Sequence, residues 1–166
     1  MSDNRSMSHQ VAGHATPRDL RPILLDAIDS VQARGGAQVE AADVLRALAA
    51  HPGPAADLLA EAGLDAAAVD AALAEERRHS LASLGLRTEL PEPRYRRGGR
   101  PRWGASAHAA FDRLRQPGGA SPVAVLAGIL AAELGTVPRA LELAGIDRFA
   151  LLGRATAAAN ALRRRG

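Results

Sequence analysis

Apolar residues recur along this chain at steps of three and four, and no useful stretch alternates with a step of two. That periodicity predicts helices and no strands. Leu20, Ile23, Leu24, Ala27, Ile28 and Val31 mark the inner face of a first helix that runs to about Ala33, where Gly35-Gly36 ends it. Thr16-Pro17 is its start signal, with Thr as N-cap, Pro at the first helical position and Asp19 in the first turn. Pro22 is early enough to be tolerated. Val39 opens a second unit, with Glu40 and Asp43 near the start of a helix ending around Ala50. His51-Pro52-Gly53-Pro54 turns the chain, a short helix spans 55–62, and Asp65 caps a fourth from Ala66 to about Leu84.

The remainder repeats the plan. Ser106 is read as the cap of a helix containing Ala110, Phe111 and Leu114, cut short by Pro117-Gly118-Gly119. Ser121-Pro122 starts the next, over 123–134. Gly135-Thr136 is a turn, Pro138 opens a helix to Ala144, and Asp147 caps the last. Residues 44–65, VLRALAAHPGPAADLLAEAGLD, return as residues 125–147, VLAGILAAELGTVPRALELAGID. Val44, Leu45 and Leu48 answer to Val125, Leu126 and Ile129 at an offset of 81. Leu59, Ala62, Gly63, Leu64 and Asp65 answer to Leu141, Ala144, Gly145, Ile146 and Asp147 at an offset of 82. The one-residue slip falls in the loop, where insertion costs least.

The expected fold is all-α: two pseudo-repeated four-helix units packed into one bundle of about eight helices. Residues 16–85 form the first repeat and 105–166 the second, with 16–162 together one domain. Residues 1–15 are polar and aperiodic, a flexible lead-in. Residues 86–104, LRTELPEPRYRRGGRPRWG, are rich in Pro, Gly and Arg and read as the linker. Hydrophobic residues make up 47% of the chain but aromatics only 2%, so the core is built from Ala, Leu and Val. Neither half buries enough surface alone, and the two are expected to stack.

Composition narrows the chemistry. There is no Cys, which removes disulfides, thiolate metal sites and Cys nucleophiles. There is no Lys, and all 21 basic residues are Arg. The pI of about 10.8 reflects that Arg, since the net charge is only +3. No apolar run approaches a membrane span and no signal-like core opens the chain, so a soluble cytoplasmic protein is expected. His9, His14, His51, His79 and His108 are scattered, without metal-ligand spacing. Glu75-Glu76 are adjacent on a helix and read as a solvated face. No Ser elbow and no H-E-x-x-H occurs, so no enzymatic role is expected, and no cofactor or metal.

Two helix–turn–helix copies ending in L-x-x-A-G-[LI]-D, joined by a Pro/Arg-rich linker, resemble the N-terminal domain of Clp-type unfoldases, of the ClpC kind. The matching stretches are Thr16-Pro17-Arg18, the run from Asp43 to Leu48, the run from Ala55 to Leu64, and Pro101 to Ala107, where that family begins its second repeat. A Walker A loop needs a Lys, so the likeness is to stand-alone Clp N-domain proteins of actinobacteria rather than to the ATPase. The resemblance implies a module that receives hydrophobic or cyclic peptides, antibiotics among them, as a decoy for or modulator of a Clp unfoldase, with Clp components as further partners. It places the peptide groove between the first helix and the aromatic opening the second repeat: Ile23 and Leu24, Trp103, Val11 near the N-terminus, and Arg18. Phosphoarginine binding in that family uses a Thr-Glu pair, and Ala41-Ala42 and Pro122-Val123 stand there, so that binding is expected to be lost. For Trp103 a seam-filling role and a ligand-contacting role both stay open. An adaptor without a small ligand is the alternative. Nucleic acid, suggested by Tyr95 among linker arginines, is the weakest reading, because the helix at 55–62 carries Asp57 and Glu61 where a reader helix would be basic.

Overall fold

The computed structural model describes residues 19–86, 99–114 and 120–165. Within them lie eight helices and one two-stranded ribbon: α1 (Arg21–Ala33), β1 (Gln38–Val39), α2 (Ala41–Ala50), α3 (Pro54–Glu61), α4 (Ala66–Ser83), β2 (Arg102–Trp103), α5 (Ala105–Asp112), α6 (Pro122–Leu130), α7 (Thr136–Leu143) and α8 (Arg148–Arg164). The fold is an all-α bundle, as the periodicity predicts. No described helix is long and apolar enough to cross a membrane.

The duplicated stretch builds duplicated local structure. Asp65 caps α4 by accepting from the Ala68 N–H at 2.8 Å, and Asp147 caps α8 by accepting from the Ala150 N–H at 2.9 Å. Gly63 and Gly145 end α3 and α7 at φ 79° and 69°, a left-handed conformation that favours glycine. The hydrogen bonds there also match: Leu64 N–H to Leu59 C=O, 2.8 Å, against Ile146 N–H to Leu141 C=O, 2.9 Å.

Packing follows the same correspondence. With α1 to α4 set against α5 to α8, the α1–α2 pairing has its counterpart in α5–α6, and α2–α4 in α6–α8. Between the halves, α4 lies on α7 and α3 on α8, while α2 meets α6. Exchanging the halves therefore maps the arrangement onto itself, a pseudo-two-fold relation. The fully buried side chains come from both copies: Leu45, Leu48, Leu59 and Leu64 from one, Leu126, Ile129, Leu130 and Leu141 from the other, in one continuous core.

Several boundaries differ from the expectation. α1 is described from Arg21, with Leu20 at the N-cap and Pro22 in the first turn; Thr16, Pro17 and Arg18 lie outside the described residues. α6 stops at Leu130 instead of reaching 134, and the Leu130 carbonyl at its end accepts from Arg148 of α8 at 2.6 Å. Gly104, and not Ser106, is the N-cap of α5; the Ser106 hydroxyl is committed to the other half. Glu76 is not on a solvated face. It is 6% exposed, with its Oε1 accepting from Ser80 Oγ at 2.7 Å and pairing with Arg139 at 3.1 Å, because α7 packs over this side of α4. Glu75 does face outward, paired with Arg78.

α5 and α6 approach each other closely at Gly128, where a Cβ would lie 2.5 Å from the Ala110 carbonyl oxygen. Gly128→Ala should therefore force α5 and α6 apart, destabilising the fold by about 2 kcal/mol and lowering the Tm by roughly 4–8 °C. A thermal unfolding curve that overlays wild type would refute this packing.

Candidate functional site

The junction of the halves begins as a short parallel ribbon. Gln38 pairs with Arg102 and Val39 with Trp103, and the Gly104 N–H donates to the Val39 carbonyl at 2.9 Å. Two residues are too few to show a period, so the sequence places Arg102 and Trp103 in the linker, whereas they are part of the folded seam. Glu40 follows β1 and serves as the N-cap of α2, forming a capping box with Asp43. Its carboxylate also reaches across the seam, accepting from the Ser106 N–H at 3.2 Å and from the Ser106 hydroxyl. The same hydroxyl accepts from the Ala41 N–H at 2.8 Å. One carboxylate and one hydroxyl thus join the first turns of α2 and α5. A Cβ at Gly104 would overlap the Glu40 carboxylate, so a larger residue there would push that carboxylate off its place beside Ser106.

Trp103 is half-buried at this seam, its ring meeting Phe111 edge-on with centroids 5.2 Å apart and planes at 89°. β1 packs against α1 on one side and β2 on the other, so Trp103 stands one strand away from the helix that carries Ile23 and Leu24. Ile23 is buried at 6% exposure and serves the core; Leu24 is half-buried against it. Val11 and Arg18 lie outside the described residues, as do Tyr95 and most of the Arg-rich segment. Ala41, Pro122 and Val123 are buried and present only apolar side chains.

A cavity of about 200 Å³ opens elsewhere, on the first half alone, lined by Asp26 and Ser30 of α1, Arg34, Asp43, Arg46, Ala47 and Ala50 of α2 and its approach, and Ala66 and Asp70 of α4. None of Ile23, Leu24 and Trp103 lines it. Asp43 is its buried charge. One oxygen accepts from the Glu40 N–H at 2.9 Å, and the other pairs with Arg34 at 2.5 Å and Arg46 at 3.1 Å. Arg46 continues through Nε to Asp70 at 2.9 Å. Such multiple donors offset the cost of burying a carboxylate. Asp26 is met by the His51 ring at 4.0 Å, beyond hydrogen-bond range. The polar lining was legible in principle: Asp26 and Ser30, Asp43, Arg46 and Ala50, and Ala66 and Asp70 each step by three or four along one helix. Among the described residues, no three of His, Asp and Glu converge as a metal site would need.

No protein-family model matches this sequence, and a search of curated proteins finds no match.

The seam yields a direct test. Glu40→Ala removes the N-cap acceptor of α2 and both bonds to Ser106, and should destabilise the protein by about 2–3 kcal/mol. The expected readout is a lower urea midpoint at unchanged m-value. A midpoint equal to wild type would mean that the carboxylate is solvated and the seam is held by the ribbon alone.

Proposed function

We propose that the protein is a non-enzymatic peptide-binding module, resembling the Clp N-terminal domain, that holds a hydrophobic or cyclic peptide against the indole of Trp103. In this reading it acts as a decoy for, or modulator of, a Clp unfoldase. The observation that supports it is the setting of Trp103: a large apolar ring, partly exposed, at the junction of two pseudo-equivalent halves. Ribbon pairing fixes its backbone and Phe111 orients its ring. An aromatic held this way loses little freedom on binding, which is how anchor residues gain affinity. Leu24, half-buried on α1, is the further apolar residue that this reading assigns to the peptide.

A second reading is favoured by a different observation. Leu134 is 89% exposed in the turn between α6 and α7, and Phe149 is 72% exposed in the first turn of α8. Large apolar side chains left outside are candidate contacts for a protein partner, and an adaptor docking on Clp machinery would use them.

Calorimetric titration of an apolar cyclic peptide separates the two. Micromolar binding, weakened about tenfold or more by Trp103→Ala, is expected from the first reading. Absence of heat, with capture of a purified Clp unfoldase that is lost in a Leu134→Ser, Phe149→Ser double variant, would replace it with the second.

A further inference from the structure

The duplication supplies an internal comparison for the first-half cavity. Offsets of 81 on α2/α6 and 82 on α4/α8 set Ala47 against Gly128, Ala66 against Arg148, and Asp70 against Leu152. Aligning the inward faces of α1 and α5, with Ile23 and Leu24 on Ala110 and Phe111, sets Asp26 against Arg113. In the first half Asp26, Ala47, Ala66 and Asp70 line one cavity. In the second half, Arg113 donates to the Gly128 carbonyl at 3.3 Å and Arg148 to the Leu130 carbonyl at 2.6 Å. Leu152 packs against the core. Asp43 and Arg46 are answered there by Ala124 and Ala127. The second half thus turns guanidinium groups onto its own carbonyls, where the first half leaves a cavity whose two arginines, Arg34 and Arg46, are held on Asp43 and whose Asp26 faces the opening.

We propose that the first-half cavity receives one arginine side chain from a partner polypeptide. The volume, about 200 Å³, is below the ~300–1,000 Å³ of small-molecule sites and suits a single side chain. Ala47, Ala50 and Ala66 offer an apolar wall for the methylene stem. Asp26, with its side chain 49% exposed, offers its carboxylate, and Asp70, 65% exposed, offers the oxygen that Arg46 Nε does not occupy. The guanidinium fork matches carboxylate geometry better than an ammonium does. Asp43 is already saturated by Arg34, Arg46 and the Glu40 N–H, so it holds the lining in place and does not take the ligand. Charge favours the same partner: residues 19–86 carry eleven acidic side chains against five arginines, while residues 99–165 carry four against ten. The acidic half presents the cavity, so a basic segment is drawn toward it.

The test is a titration of the full chain followed by backbone amide NMR, with acetyl-Gly-Arg-Gly-amide as probe and its citrulline analogue as the neutral control. Saturable shifts at Asp26, Ala47 and Ala66 are expected, with a dissociation constant on the order of 1 mM, as suits one exposed ion-paired side chain. Binding should fall at least tenfold for citrulline and for the Asp26→Asn, Asp70→Asn pair. It should vanish in Asp26→Arg, which restores the residue found at Arg113. Trp103→Ala should leave it unchanged, so failure here and failure of the peptide groove are told apart. Equal binding of citrulline, undiminished binding to Asp26→Arg, or displacement of the probe by inorganic phosphate would overturn the proposal. So would self-association of the protein abolished by Asp26→Arg, which would make a second copy the occupant. Should Asp26→Arg fail to fold, the double Asn variant carries the test.

Discussion

Each half of this protein covers the other's apolar face. α3 lies on α8 and α4 on α7, so the short helix of one copy is always sheltered by the long helix of its counterpart. With two phenylalanines, one tryptophan and one tyrosine in 166 residues, the core has few large side chains to work with. Leu and Val layers drawn from one copy alone would leave α3 and α7 each exposed along one side. Reciprocal covering removes that exposure without large residues, since Ala-rich helices approach closely. The ion pairs along the same interface, Arg139 with Glu76 and Arg154 with Glu61, all run from an arginine in the second half to an acid in the first.

Much of this could be read from the chain. The caps at Asp65 and Asp147, the glycine stops at Gly63 and Gly145 and the inward stripes of α1 and α2 are local signals, each written within a turn or two. They fall where expected because nothing distant competes with them. The duplication was legible for the same reason, and with it the count of helices.

What the sequence hid depends on residues far apart. Ser106 has the composition of a cap, but Glu40, 66 positions away, claims its hydroxyl. Glu76 sits beside Glu75 in a polar run, and only the arrival of α7 turns it inward. The β1–β2 ribbon joins segments too short to carry a period. Trp103, placed by the resemblance at the opening of the second repeat, is found at the junction, while Ile23 faces the core more completely than a ligand contact would. The cavity beside Asp26 is written as steps of three and four along each helix, but only the gap between α1, α2 and α4 brings those separate faces together.

Two identical chains meeting on a true axis would have to carry the same lining on both sides, since every substitution would appear twice. Joining the copies in a single polypeptide lifts that constraint. One side can then be sealed by Arg113 and Arg148 for rigidity, while its twin keeps an opening. Fusion of the copies thus lets stability and receptivity be divided between two surfaces that a homodimer would have to keep alike.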